Sequence, residues 1–339
     1  MVNVGVIGFG YWGPNLVRNF NSAKETQVIT VADLDKNRLR EVVKNYPAIH
    51  TTTDYQEILV NKDVDAVVVA TPVSTHFQLC MNALIAGKHV LVEKPLANTL
   101  AKSLQLVEEA RQRNLILMVD HTFLFTGAVQ KIRELIYSGK LGDRLYYYDS
   151  VRVNLGLFQE DVNVMWDLAV HDLSILSFVV DYKPMSVSAT GMRHIPRTQS
   201  NVAFITLFYD NDFIAHINVN WMAPVKVRQT LFGGGSKMIV YNDLEPSEKV
   251  KVYDKGVQVG INPYEVKVGY RIGDVYVPYI APSEALAGVV RHFAECIETG
   301  NLPITDGQFG ANIVGILEAA DLSIRKNGEP VALDWDQMT

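Results

Sequence analysis

Two short runs carry most of the reactive side chains. In Val90-Leu91-Val92-Glu93-Lys94-Pro95, an apolar run ends in a carboxylate, an amine and a proline. A run of this length suits a buried strand of a parallel sheet, and open α/β sheets bind ligands beyond the carboxyl ends of their strands. Lys94 then stands where such folds do chemistry; taken alone, it reads equally as a surface lysine beside a loop proline. The second run is Trp166-Asp167-Leu168-Ala169-Val170-His171-Asp172. As part of a helix it puts Asp167 and His171, four apart, on one face, and Leu168, Ile175 and Val179 on another. An Asp one turn before a His orients the ring and raises its basicity. The plainer alternative is a buried histidine satisfied by a neighbouring acid. Asp167, His171 and Asp172 offer ligand atoms, but no H-E-x-x-H or C-x-x-C set accompanies them, so no metal is expected. No G-x-S-x-G appears either, which disfavours a serine hydrolase.

The elements that must position these runs are legible upstream. Residues 4–7 read as a buried strand, followed by Gly8-Phe9-Gly10-Tyr11-Trp12-Gly13 and a helix over about 12–21. In a G-x-G-x-x-G at a strand-to-helix junction, the first glycine makes the tight turn. The second admits a pyrophosphate, and the third lets helix and strand pack closely. The helix presents its amino-terminal amides to the phosphates, and Pro14 near its start wastes no amide there. Tyr11 and Trp12 belong to the same expected cofactor loop. Residues 27–33 form a second strand ending in Asp33, 20 residues past Gly13. An acid there binds the ribose hydroxyls and repels a 2′-phosphate, so NAD is favoured over NADP; Asp35 adds to that field, and Lys36 and Arg38 oppose it. The alternative for Asp33 is a loop acid capping the next helix. A third strand, 64–70, breaks at Thr71-Pro72 and restarts as a helix at Ser74 or Thr75, giving a turn that lies against the cofactor. His76 is read as a helix-start residue or a wall of the cofactor pocket rather than a catalyst. Strand 89–92 delivers Glu93 and Lys94, and a helix over 100–113 and a strand over 116–120 follow. Strands and helices alternating in this way indicate a doubly wound parallel sheet.

From about residue 121 the texture changes. A helix over 127–138 precedes alternating, β-rich stretches at 144–154, 185–192, 202–209, 213–221, 228–232, 238–241 and 249–253. Gly233-Gly234-Gly235 lies between two strands and reads as a hairpin turn, not a phosphate loop. Helices over 283–299 and 309–327 close the chain. The expected fold is therefore α/β: a doubly wound parallel sheet in residues 1–121, then an α+β domain with a mostly antiparallel sheet in 122–339.

Composition narrows the function further. The 339 residues are 48% hydrophobic and 20% charged, ample for two ordinary cores. The net charge of -6, without a basic stripe, argues against a nucleic-acid partner. Cys80 and Cys296 are the two cysteines, so a disulfide scaffold is out and reduced thiols in a cytoplasmic protein are expected. The amino terminus lacks the pattern of a signal peptide, and no apolar run approaches the ~20 residues of a membrane span.

Taken together, Gly8-x-Gly10-x-x-Gly13, Asp33, Ala70-Thr71-Pro72, Glu93-Lys94-Pro95, Trp166-Asp167 with His171-Asp172, and Thr305-Asp306-Gly307 before the last helix resemble the glucose–fructose oxidoreductase / inositol dehydrogenase / rhizopine-catabolism (Gfo/Idh/MocA) family, over essentially the whole chain. The resemblance implies a Rossmann domain followed by a domain with a large open, mainly antiparallel sheet that commonly builds a homodimer or homotetramer. It implies that Lys94 contacts the reacting hydroxyl and the nicotinamide ribose, and that Pro95 follows a cis peptide. It makes His171 the general acid/base and gives Asp167 the task of binding substrate or tuning His171. Glu93, Thr71, Pro72 and His76 fall to the cofactor. The stretch from Arg152-Val153-Asn154-Leu155-Gly156 through Asp161-Val162-Asn163-Val164-Met165-Trp166-Asp167 resembles the branch acting on nucleotide-linked sugars, the UDP-N-acetylglucosamine (or uronate) 3-dehydrogenases. In that branch Arg152 and Asn154 reach substrate; their alternative is an exposed strand pair. Thr126-Gly127 departs from the Asn-Pro of some members. A diphosphate groove would draw on Arg152, Arg193, Arg197 and Lys226. The implied reaction is NAD-dependent oxidation of a secondary hydroxyl, C3 of a UDP-linked amino sugar first. A free-sugar or inositol dehydrogenase comes second, and a non-catalytic NAD-binding regulator is the reading from another class.

Overall fold

The computed structural model describes residues 1–156, 158, 162–196, 199–262 and 265–338, with side chains left undescribed over 257–268. Contacts divide the chain into two compact units, Met1–Phe125 with Ser283–Glu318 and Trp335–Thr339, and Thr126–Pro282 with Ala319–Asp334.

In the first unit, strands β1 (Val2–Ile7), β2 (Thr26–Ala32), β3 (His50–Thr52), β4 (Ala66–Val69), β5 (His89–Glu93) and β6 (Leu117–Asp120) alternate with helices α1 (Gly13–Ser22), α2 (Lys36–Asn45), α3 (Gln56–Val60), α4 (Val73–Ile85) and α5 (Leu100–Gln112). The sheet order is β3-β2-β1-β4-β5-β6, and every neighbouring pair is parallel. Ala66 through Val69 are all buried, as strands covered on both faces must be. The order reverses between β1 and β4, the switch point at which such sheets bind ligands. Gly8 follows β1 there, and Thr71 lies just past β4.

The expected division at 121/122 differs from this arrangement. The first unit runs on through a 3-10 turn (Thr122–Phe125), and the second begins at Thr126, whose side chain accepts the Val129 amide to cap a helix over Gly127–Tyr137. A late helix, Ala285–Thr299, also returns to the first unit. The reason is apolar burial: Phe293 meets Phe20 of α1 edge-on at 6.3 Å, inside one core with Leu16, Val17, Val289 and Val290. Asn19 Nδ2 donates to Glu284 Oε1 at 3.0 Å beside that seam.

The second unit opens with that capped helix, α6 (Gly127–Tyr137), then β7 (Leu145–Leu155), a π-helical turn (Met165–Ala169) and α7 (Val170–Val179). Its strands continue as β8 (Ser186–Met192), β9 (Val202–Phe208), β10 (Ile214–Asn220), β11 (Met222–Gly234), β12 (Met238–Asn242) and β13 (Val250–Tyr253). They are followed by β14 (Gly256–Asn262), β15 (Glu265–Arg271) and β16 (Val275–Tyr276). The chain ends with α8 (Ala285–Thr299), α9 (Gly307–Arg325), β17 (Val331–Ala332) and α10 (Trp335–Met338). Nine strands make one sheet, ordered β16-β13-β12-β11-β7-β10-β9-β8-β17. Its pairs are antiparallel except β7 with β10. The triple glycine joins β11 to β12 as a hairpin, as expected. Strands β14 and β15 pair antiparallel in a separate small sheet, outside the stretches expected from the sequence. Alternation along the large sheet is clear: Tyr148, Ser150 and Arg152 of β7, Ile205 of β9 and Ile217 of β10 are buried, while Phe204, Phe208 and Ile214 of the opposite face stay exposed.

Candidate active site

The glycine loop has the geometry its sequence predicts. Gly8 sits at φ +99°, and a Cβ there would lie 2.4 Å from the Ala70 carbonyl oxygen. A Cβ on Gly13 would lie 2.5 Å from the carbonyl oxygen of Gly8, so helix and strand meet at a distance only glycine allows. Trp12 is the N-cap of α1 but gives no side-chain cap, and the first turn holds no acid. Its leading amides are thus left to an outside anion. Tyr11 is exposed beside them. Asp33, with its side chain 7% exposed, accepts the Phe9 amide at 2.7 Å and the Asp35 amide at 2.8 Å. It ties the end of β2 to the glycine loop, which fixes the direction of its carboxylate. It does not cap α2; Asp35 does, accepting the Asn37 amide at 2.8 Å. Arg38 approaches Asp33 at 3.4 Å, half exposed, and lies 3.5 Å from where a Gly10 Cβ would stand. A helix start without a side-chain cap, close backbone approaches that only glycine allows and an oriented acid together fit NAD.

The carboxyl ends of β4, β5 and β6 bring together the next group. Thr71 and the exposed Pro72 open α4, where the Thr71 and Thr75 hydroxyls meet at 2.7 Å. His76 lies in the first turn of α4, the helix-start position that is one of its two expected places. It is completely buried, with Nδ1 2.9 Å from the Pro95 carbonyl oxygen and Nε2 2.8 Å from that of Thr71. Facing two carbonyl oxygens of its own chain, the ring ties the two turns together. The Lys94–Pro95 peptide is cis, as the resemblance implied. Glu93 and Asp120 are the last residues of β5 and β6 and are paired in register. Asp120 Oδ1 accepts the Thr122 hydroxyl at 2.7 Å, and Trp12 also donates to this carboxyl. Burial, then the neighbouring Asp120, pushes the Glu93 carboxyl well above the usual range, and burial likewise raises Asp120. His121 is buried edge-on to Phe309 at 5.5 Å; burial, then the charge of Lys94, pushes it down to about 3, so it is neutral.

In the second unit, the Asp167–His171 run is helical, but its first turn is π rather than α. Asn163 Oδ1 accepts the Met165 amide at 2.9 Å, and Asp321 accepts from Asn163 and from the Trp166 indole, each at 2.7 Å, which fixes the turn. The wider turn moves Asp167 off the simple α-helical alignment with His171. Trp221, wholly buried at the end of β10, donates its indole N–H to Asp167 Oδ2 at 3.0 Å. His171 and Asp167 are both half-buried.

Arg152 corrects its expectation. On β7 its side chain points to the covered face, 3% exposed, and its guanidinium clasps Asp172 of α7 at 2.7 and 3.1 Å. Burial opposes its charge, but Asp172 outweighs that and raises its pKa. It forms a buried ion pair and is not an exposed strand residue. Asn154 is half-buried on the same face. Arg193 and Lys226 are exposed, and Arg197 and Asp161 lie outside the described residues. Among the described residues, no three His, Cys, Asp or Glu side chains converge on a metal site.

Sequence reasoning passed over three residues. Asp120 and His121 end a buried strand next to Glu93 and Lys94, so the strand-end rule that marked Lys94 would have marked them. Trp221, 54 positions from Asp167, carries no local signal.

Comparison with known proteins gives two family matches. The model for an oxidoreductase family with an NAD-binding Rossmann fold covers residues 2–121, and that for the GFO/IDH/MocA C-terminal domain covers 129–239. The chain is 26% identical to a scyllo-inositol 2-dehydrogenase (NAD(+)) of Bacillus subtilis (strain 168), over 98% of this chain and 96% of that one. Among solved structures, UDP-N-acetylglucosamine 3-dehydrogenase GnnA from Acidithiobacillus ferrooxidans superposes with a TM-score of 0.80 at 22% identity, covering 96% and 98% of the two chains. A levoglucosan dehydrogenase complexed with NADH and levoglucosan gives 0.82 at 19%, covering 98% and 99%.

Proposed function

This chain belongs to the Gfo/Idh/MocA family of NAD-binding oxidoreductases, and we propose that its reaction is the oxidation of a secondary hydroxyl on a sugar or cyclitol ring. The observation that carries this reading is Lys94 at the carboxyl end of β5, beside the switch point and next to the half-buried Glu93 and the buried Asp120. Bound NAD supplies the hydride acceptor. The chain's own part is to handle oxygen and proton. The Lys94 ammonium donates to the reacting oxygen and stabilises alkoxide character as the C–H bond weakens. His171 takes the hydroxyl proton, a task suited to an imidazole near neutral pH. Asp167, fixed by the Trp221 indole, binds a neighbouring hydroxyl or orients His171.

For the substrate, our first choice is C3 of a UDP-linked N-acetylamino sugar. Its support is the full-length fold likeness to a protein named for that reaction, together with exposed Arg193 and Lys226 for a diphosphate. One observation favours the second reading, a free sugar or inositol: Arg152 is spent on Asp172, which removes a cation from the expected groove. The named function of the inositol-dehydrogenase relative points the same way. Self-association through the open sheet is supported by Phe204, Phe208 and Ile214, 44%, 36% and 44% exposed on one face. Both cysteines are free and buried, which suits a reducing, cytoplasmic setting. Among the described residues no helix is long and apolar enough to cross a membrane.

The test is nicotinamide reduction with UDP-N-acetylglucosamine, its uronate, glucose and inositol in parallel. Turnover with a nucleotide sugar alone supports the first reading. Turnover with glucose or inositol replaces it with the second. Failure with every sugar and polyol tried, despite NAD binding, would contradict the dehydrogenase reading.

A further inference from the structure

Glu93 and Asp120 stand opposite each other at the ends of β5 and β6. Paired residues of adjacent strands project to the same face, about 5 Å apart at the backbone. Asp120 is 1% exposed. Donors around the pair include Thr122 to Asp120 Oδ1 at 2.7 Å, Trp12 to the Asp120 carboxyl, and the Lys94 backbone to Glu93. Glu93 Oε1 and Asp120 Oδ2 remain buried with no hydrogen-bond partner, although the two carboxyls lie within hydrogen-bonding reach of each other. Two buried acceptors without a donor are costly, and two ionised carboxylates in contact more so. One proton between them removes both costs. His121, the next residue, supplies no compensating charge: it is buried, neither ring nitrogen has a hydrogen-bond partner, and it is neutral.

We infer that Glu93 and Asp120 share a single proton, so that the pair presents one negative charge, not two, to Lys94. Asp120 is then a positioning residue of the active site, acting on Lys94 through Glu93. The groups facing the pair are Lys94 from the β5 end, His121 from the β6 end, Trp12 from α1 and Thr122 from the 3-10 turn. Helix α9 contributes the uncharged Phe309, whose amide occupies Asp306 Oδ1 at 2.7 Å. Lys94 is thus the cation whose charge the pair balances, and two full negative charges would overcompensate it. The consequence for catalysis rests on the role proposed for Lys94; the shared proton does not.

Infrared spectroscopy of the full chain, without substrate, reads the proton directly. At neutral pH the wild type is expected to show the carbonyl stretch of a protonated carboxylic acid, shifted in heavy water. Asp120→Asn and Glu93→Gln are each expected to abolish it, because the remaining acid then ionises against an amide donor and Lys94. A band that survives in one variant assigns the proton to a single residue and overturns the sharing, as does absence of the band in the wild type. Should one variant not fold, the other and the wild-type band still decide. The positioning role has its own readout: Asp120→Asn, with no proton to lose, is expected to remove one ionisation from the alkaline limb of the kcat/KM profile. An unaltered limb alongside a confirmed shared proton overturns the positioning role alone.

Discussion

At the scale of single residues, the site is made of side chains whose charge is fixed by burial and partner. Arg152 and Asp172 show this most plainly. A buried bidentate pair is poor evidence of net stabilisation, but removing one partner strands the other charge. Asp172→Ala is therefore expected to cost about 3–5 kcal/mol in urea unfolding, and a loss below about 1 kcal/mol would mean that water reaches the guanidinium. The Glu93–Asp120 pair gives a pH dependence of opposite sense to the usual acid one. Both carboxyls are raised in the fold, so the native chain holds a proton that the unfolded chain releases in the ordinary carboxyl range. That stabilisation is full below the ordinary range and is lost as pH rises through the raised value. Thermal unfolding of the wild type is expected to fall toward alkaline pH, and Asp120→Asn to flatten the fall.

At the scale of elements, the glycine loop and the strand ends do the positioning. Gly8→Ala brings a Cβ against the Ala70 carbonyl in a left-handed conformation, and is expected to abolish NAD binding, measured by calorimetry. Retained affinity would mean that the turn is remade at little cost. Much of this scale was legible from the sequence, because parallel strands read as unbroken Val/Ile runs and because G-x-G-x-x-G admits few backbones. The helix carrying Asp167 and His171 was legible too, but not its π turn, which is set by Asn163 and Trp166 anchoring on the distant Asp321. Arg152 was misplaced for a related reason. Alternation along β7 gives two faces, and which one is covered is decided by α7, outside the local window. Likewise, His76 has a helix-start position in sequence, whereas its two carbonyl partners exist only once β4 and β5 are adjacent.

At the scale of the whole molecule, the chain contains an NAD-binding unit and a second unit built on a nine-stranded sheet, one face of which exposes Phe204, Phe208 and Ile214. If that face joins copies, Phe204→Asp is expected to lower the mass seen in sedimentation without lowering thermal stability of the subunit. An unchanged mass would place the contact elsewhere. The central claim is that Lys94 acts on the reacting oxygen rather than on cofactor binding. It is tested most directly by single-turnover hydride transfer in wild type and Lys94→Ala, each saturated with NAD and with the substrate identified by the sugar panel. The account predicts a rate reduced about 10²–10³-fold at nearly unchanged NAD affinity. Hydride transfer at the wild-type rate in Lys94→Ala would contradict it.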